Sequence, residues 1–301
     1  RNHLEQADVV HAHHRRSTLA LQHLPENTTT VGTIRDYWPV CPISVYNVDC
    51  SQCTGCENQL DECIEYQDWT GMQGIAVKPY LLTKRQHYQN GLDTLDAAVY
   101  IAKHLRETVE LNYRGSHPSQ SEVIYNPITL ESDIHSGEKP DSPTFVTASS
   151  LVREKGVDLA IKAVGQLTEL YPDTSLRIFG DGPLENELKT LADESCPNNA
   201  ITFEGRVSPD EVYSAMASAT ATIFPSRWAE PFGRVSVESL ILGTPVIGSD
   251  VGGIPEVVTD GETGLLFGPG DIEAITDCLQ IIHERDEFQN RICTWTKSQR
   301  E

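Results

Sequence analysis

At 301 residues, 39% hydrophobic and 22% charged, the chain is long enough for two domains of ordinary size, each with its own core. A formal charge of −21 argues against nucleic acid as a partner, because phosphates call for a basic footprint. The longest apolar runs, such as ESLILGTPVIG, fall far short of the roughly 20 residues that cross a bilayer, and no signal peptide is visible. These features predict a soluble cytoplasmic protein with at most peripheral contact at the cytoplasmic membrane face.

Arginine outnumbers lysine beside 44 acidic residues, a balance that suits an ordinary acidic cytosolic protein or one kept soluble in high salt. The chain opens on Arg1 and ends in RICTWTKSQRE, which still reads as helix, so a piece of a longer protein is expected.

Ala7 to His14, ADVVHAHH, reads as a short apolar strand ending in polar residues, and Thr28 to Trp38 repeats the pattern after a helical interval. His11, His13 and His14 cluster at that strand end, as metal ligands or as loop polarity. A cysteine-rich loop from Cys41 to Cys63 follows, with the spacing C-x8-C-x2-C-x2-C-x6-C. Paired C-x2-C spacings in a cytosolic chain point to a thiolate metal site before disulfides. Four ligands complete a tetrahedron, and Cys41, Cys50, Cys53 and Cys56 are the candidates for structural zinc, with Cys63 left out. An iron–sulfur cluster, free thiols and disulfides are the alternatives. Cys196, Cys278 and Cys293 are isolated and read as buried hydrophobes.

A helix from about Pro79 to Leu92, the strand LDAAVYIA, the helix KHLRETVELNY and the strand SEVIYNP complete the first half. Glu131 to Pro143 is polar and rich in breakers, which places a domain boundary at residues 135/136. PTFVTASSL, TSLRIFGDG, AITFEGRV, TATIFPS and TPVIGSD then read as strands, each separated from the next by a helical segment. Ser208 caps one of these helices, with Pro209 at its first position. Five such βα units predict a Rossmann-like domain, and the whole chain is expected to be α/β, two Rossmann-like domains facing across a cleft.

EPFGRVSVE carries two glutamates, Glu230 and Glu238. Pro231 suits the first turn of a helix from about Phe232 to Leu242, leaving Glu230 on the preceding loop and Glu238 about 10 Å along the axis. Two carboxylates on one element do not flank a sugar from opposite walls, so a glycosidase pair is set aside. The helix start offers an anion site instead: the amides of Phe232, Gly233 and Arg234 are donors for a diphosphate, and each glutamate can accept from hydroxyls beside it. For Glu230 alone, a carboxylate that favours the helix dipole is the competing reading. Gly180 to Pro183, GDGP, reads as a tight turn rather than a ligand site.

Glu230 to Leu266 resembles the signature of retaining glycosyltransferase family 4, with its E-x7-E spacing, its G-x-P-V-I turn and its G-G-x-x-E-x-V segment. LVREKGVDLAIKAV, GDGPLENEL and ITFEGRVSPDEVYSAM are similar to further family segments in the same order. The resemblance implies a GT-B fold and metal-independent transfer of a sugar from a nucleotide-diphosphate donor to an acceptor hydroxyl, with retention. It implies that Glu230 contacts the donor sugar, Glu238 the ribose, Phe232 to Arg234 the sugar and diphosphate, Lys155 the diphosphate, and Arg206 and Val207 the nucleobase edge. A helix-start lysine and an exposed charge before a cap are the plain readings of Lys155 and Arg206.

Ser150 stands where the family has an arginine, and Arg153 is the candidate to supply that charge. In the first half, DVVHAHH and TIRDYWPVCP resemble acceptor-domain strands, with Arg35 in place of a histidine near the donor sugar. Arg35 joins Glu230 as a candidate catalytic residue, its alternative being a salt bridge with Asp36 or another of the many acids. A GT-B nucleotide-sugar epimerase and a non-catalytic nucleotide-sugar-binding subunit are the rival functions. A glycan or lipid-linked acceptor is the expected second partner.

Overall fold

The computed structural model describes residues 7–44, 47–48, 51–53, 56–67, 69, 71–130, 142–196 and 200–284. The chain divides into two compact units, Arg1–Asn126 and Pro127–Glu301. The boundary expected at 135/136 lies outside the described residues.

The first unit runs β1 (Val9–Ala12), α1 (Arg15–Ala20), β2 (Thr29–Ile34), β3 (Asn47–Val48), β4 (Ser51–Gln52), α2 (Cys56–Tyr66), α3 (Met72–Asp93), β5 (Ala97–Tyr100), α4 (Lys103–Asn112) and β6 (Gln120–Val123). Its sheet is parallel in the order β1-β2-β5-β6, with Val31 of β2 opposite His11 on one side and Ala97 on the other. Ile34, Ala98 and Tyr100 from the strands and Leu92 and Leu105 from the helices are buried between the layers.

Two expectations change here. The cysteine-rich stretch holds the helix α2 and the two-residue hairpin β3–β4, where a loop alone was expected. The helix expected from Pro79 begins at Met72 and carries Pro79 inside it. Proline removes one amide donor, and the carbonyl it frees belongs to Ile75, on the helix face turned to solvent.

The second unit runs β7 (Thr144–Ala148), α5 (Val157–Thr168), β8 (Ser175–Phe179), α6 (Glu185–Ser195), β9 (Ile201–Gly205), α7 (Pro209–Ala217), β10 (Ala221–Phe224), α8 (Arg234–Ile241), β11 (Val246–Ser249), β12 (Gly264–Phe267) and α9 (Ile272–Glu284). All six strands are parallel, in the order β12-β11-β10-β7-β8-β9. Every residue of β10 and β11 is buried, which explains why they read as unbroken apolar runs rather than alternating ones. Val157, Ala160, Ile161, Val164 and Leu167 of α5 form one buried stripe against Ile178 and Ala221 of the sheet and Ile275 and Leu279 of α9. Ser208 caps α7 as expected, its hydroxyl accepting from the Glu211 amide and the Glu211 carboxylate accepting from the Ser208 amide.

The strand order from β7 is that of a dinucleotide-binding sheet, which winds outward from β7 in one direction and from β10 in the other. The two loops that leave the carboxyl ends of β7 and β10 therefore diverge from neighbouring strands, and a ligand can enter between them. β12 was not expected from the sequence, because GLLF is four residues long and follows a turn without alternation.

Candidate functional site

After β7 the chain makes a 3-10 turn, Arg153–Lys155, closed by Gly156 at φ +64°. A Cβ on Gly156 would stand 2.0 Å from the carbonyl oxygen of Pro225, so only glycine lets this turn lie against the loop after β10. From that loop Arg227 grips Asp158 with both guanidinium nitrogens, at 2.5 and 2.6 Å, and donates to the Arg153 carbonyl at 3.2 Å. The Arg227 amide donates to the Glu154 carbonyl at 2.8 Å. Burial alone would raise the Asp158 pKa, but the hydrogen bonds and charge of Arg227 bring it below the usual carboxylate value.

This clamp brings Lys155 and Glu230 together. Lys155 Nζ donates to Glu230 Oε1. The same oxygen accepts from Trp228 Nε1 at 2.7 Å and Ser226 Oγ at 3.3 Å. Glu230 is 7% exposed, and its Oε2 has no partner among the described residues. Gly252 backs the carboxylate's main chain: at φ +65°, a Cβ there would fall 2.4 Å from the Glu230 carbonyl oxygen. The neighbouring Gly253 amide donates to that carbonyl at 2.7 Å.

The helix that was expected from Phe232 begins at Arg234, with Gly233 as a left-handed cap at φ +78°. Phe232, buried ahead of the cap, belongs to the approach to the helix rather than to its first turn. The amides of Gly233, Arg234 and Val235 have no acceptor among the described residues and form the positive end of α8. Glu238 is therefore one turn into the helix, not two, and pairs with Arg234 NH2 at 2.8 Å. Tyr213 Oη of α7 also donates to Glu238 Oε1, at 3.5 Å. Glu238 is 7% exposed and repeats the arrangement of Glu230, with one oxygen held and Oε2 left without a partner among the described residues.

Beyond the carboxyl ends of β7, β8 and β9 lies a cavity of about 230 Å³, lined by Ser149, Ser150, Phe179, Asp181, Arg206 and Val207 among others. GDGP was expected to be a tight turn rather than a ligand site; the turn falls later, where the Glu185 amide donates to the Gly182 carbonyl at 3.2 Å, and Gly180 and Asp181 instead wall this cavity. Arg206 is 82% exposed on its side chain and pairs with Asp181 at 3.7 Å. The Ser149 hydroxyl is buried at the cavity edge without a hydrogen-bond partner among the described residues. Arg153 is exposed at the head of the 3-10 turn.

In the first unit Arg35 is exposed just after β2, and among the described residues it makes no ion pair with Asp36. Asp36 instead accepts from the Trp38 amide at 2.8 Å. The histidine cluster serves local structure: His11 and His13 both hydrogen-bond the Thr33 hydroxyl, at 2.8 and 3.2 Å, and His14 caps α1.

Of the expected thiol ligands, Cys50 lies outside the described residues, while Cys41 and Cys56 are buried and Cys53 is half-buried. Cys63, left out on spacing, is buried beside them, and its thiol is pushed up to about 12 by burial and then by Cys53 and Cys56. Among the described residues no three histidine, cysteine, aspartate or glutamate side chains form a group that would hold a metal ion. Cys196 and Cys278 are buried, as expected, and Cys293 lies outside the described residues. Among the described residues no helix is long and apolar enough to cross a membrane.

The carboxylates, the lysine and the helix start thus gather at the divergence of β7 and β10, in an α/β unit whose strand order is that of dinucleotide-binding sheets. The solved structures the chain resembles are GT-B glycosyltransferases. Staphylococcus aureus TarM, a mutant solved with Fondaparinux, alpha-GlcNAc-glycerol and UDP, matches with TM-score 0.73 at 12% identity, over 99% of this chain and 53% of that one. Anabaena HepE, solved with UDP, matches with TM-score 0.72 at 18% identity, over 99% of this chain and 74% of that one. At these identities the likeness is one of fold.

Residues 130–298 match the family model Glycosyl transferases group 1, and the chain belongs to that family. Among its relatives are the glycogen synthase of Mycobacterium tuberculosis, 33% identical over 129 residues (43% of this chain, 31% of that one), and the GDP-mannose-dependent alpha-(1-6)-phosphatidylinositol monomannoside mannosyltransferase of Mycolicibacterium smegmatis, 34% identical over 145 residues (46% and 38%). The chain spans about a third of the length of these relatives.

Trp228, Ser226, Arg227, Asp158 and Tyr213 are site residues that the sequence reading missed. Only a tryptophan and an arginine in the loop directly ahead of Glu230 could have drawn attention to two of them.

Proposed function

We propose that the chain is the donor-binding part of a metal-independent, retaining glycosyltransferase that moves a hexose from a nucleoside diphosphate sugar to a hydroxyl of a glycan or lipid-linked acceptor. The observation that carries this reading is the meeting of Lys155 and Glu230 where the loops after β7 and β10 diverge, beside the free amides of α8. Glu230 Oε2 accepts from a hydroxyl of the donor sugar, and Glu238 Oε2 from the ribose. Lys155 and the amides of Gly233, Arg234 and Val235 take the diphosphate, and the cavity lined by Arg206 and Val207 takes the base. Arg153 adds positive charge at the mouth of the same turn.

As the bond to the anomeric carbon lengthens, negative charge grows on the leaving diphosphate. The ammonium of Lys155 and the start of α8 stabilise that charge without having to reorganise. A donor phosphate oxygen takes the acceptor's proton. Arg35, exposed after β2, supplies the acceptor-side cation. The sequence has no D-x-D motif to hold a donor-bound cation, which accords with this division of labour.

Zinc in the Cys41–Cys63 stretch is proposed on spacing alone, no step of the reaction passes through it, and elemental analysis finding neither zinc nor iron removes it. The function is tested by thermal-shift measurements of the full-length protein against UDP-, GDP- and ADP-sugars. One donor should raise the melting temperature in wild type and fail to do so in Glu238→Ala. No response to any donor, or an undiminished response in Glu238→Ala, refutes the site.

A further inference from the structure

Lys155 is held by Glu230, yet the proposed reaction turns it towards a diphosphate. A carboxylate only 7% exposed cannot give up its cation without cost, because a buried charge left without donors is strongly unfavourable. Two neutral donors stand ready on the same oxygen, Trp228 Nε1 at 2.7 Å and Ser226 Oγ at 3.3 Å.

They are not equivalent. The Ser226 hydroxyl also lies 3.3 Å from the Glu154 carbonyl and 3.3 Å from the Trp228 carbonyl, so its single proton is divided among three acceptors. The indole N–H is a donor only, and its bond to the carboxylate is the shorter. The ring also lies 5.2 Å from Lys155 Nζ, offering the ammonium a π face, and its backbone follows Arg227, which the Asp158 clamp immobilises.

We propose that Trp228 is a positioning residue for the diphosphate: its indole N–H keeps the Glu230 carboxylate hydrogen-bonded and in place while Lys155 passes from the carboxylate to the ligand. This rests on the donor-site reading above. Lys155 then serves two partners in turn, and Trp228 lowers the penalty of the exchange.

The test is titration of the full-length protein with UDP, GDP and ADP, following the tightest binder. Trp228→Phe should weaken binding about tenfold, the scale of one hydrogen bond to a charged group, and Trp228→His, which restores an N–H, should recover most of it. In a Lys155→Ala background the same Trp228→Phe change should cost less than about twofold, because there is no lysine to hand over. Undiminished affinity in Trp228→Phe, or an equal loss with and without Lys155, overturns the proposal.

A second measurement needs no change at Trp228, should that variant not fold. Nucleotide should alter the tryptophan emission of wild type as Lys155 leaves the ring, and not that of Lys155→Ala. No change in wild type, or equal changes in both, likewise overturns it. If wild type binds none of the three nucleotides, it is the donor-site reading that fails.

Discussion

Lys155 and Glu230, 75 residues apart, form an ion pair between loops that leave adjacent parallel strands. Among the described residues only one carboxylate oxygen is used, and in the proposed reading the other faces the donor sugar. Glu230→Gln keeps the shape but removes that charge and leaves Lys155 without a counter-ion. Transfer should fall on the order of a hundredfold in kcat, with a smaller change in donor KM, in steady-state kinetics. A kcat within twofold of wild type would remove Glu230 from the reaction.

Glu238 is held by Arg234 and Tyr213 in the same one-sided manner, but farther along α8. Its loss should be felt in binding rather than turnover. Glu238→Ala is expected to weaken nucleoside diphosphate affinity about tenfold by calorimetric titration, while the free bases bind no worse than before.

The Arg227–Asp158 clamp gives the second unit a stability that depends on pH. Asp158 has its pKa depressed by Arg227, so the contribution is present above the ordinary value of 3.8 and is lost as pH falls through the lower folded value. Arg227→Ala should cost about 2 kcal/mol in urea unfolding at pH 7, where it strands a charged carboxylate. As pH falls through that folded value the wild type loses the advantage, and the two proteins should converge. Equal separation at pH 7 and below that folded value contradicts the assignment.

Gly156→Ala should be damaging out of proportion to one methyl group. It puts a Cβ 2.0 Å from the Pro225 oxygen at a backbone angle, φ +64°, that suits glycine. A loss of about 2 kcal/mol or more is expected, with nucleotide affinity reduced beyond what the lower melting temperature explains, since the turn that carries Lys155 must move.

Much of this was readable before any coordinates. Strands β7 to β11 stand out because each is a short apolar run closed by breakers, and Ser208-Pro209 announces α7 by chemistry that acts within four residues. Glu230 and Glu238 are singled out by the helix start after Pro231 and by the resemblance of the E-x7-E spacing to a family signature. What escaped notice depends on distance along the chain: Arg227 meets Asp158 across 69 positions, and no periodicity reports such a pairing. Pro231 suggests a helix start two residues early, at Phe232 rather than Arg234, because proline tolerates the approach to a helix as well as its first turn. GDGP reads as a turn alone, since nothing in four residues reveals that Gly180 and Asp181 wall a cavity.

The parallel winding of the second unit also orders its assembly. Lys155 leaves the sheet's first strand and Glu230 its fourth, with α5, β8, α6, β9 and α7 between them. No contiguous fragment shorter than that span can contain both, so the pair forms only when the sheet has closed around its centre. Long-range contacts of this kind come late and slowly. Nucleotide binding should therefore be among the last native properties to return on refolding, appearing after helical signal has recovered, and it makes a stricter assay of a correctly folded chain than any spectroscopic measure of secondary structure.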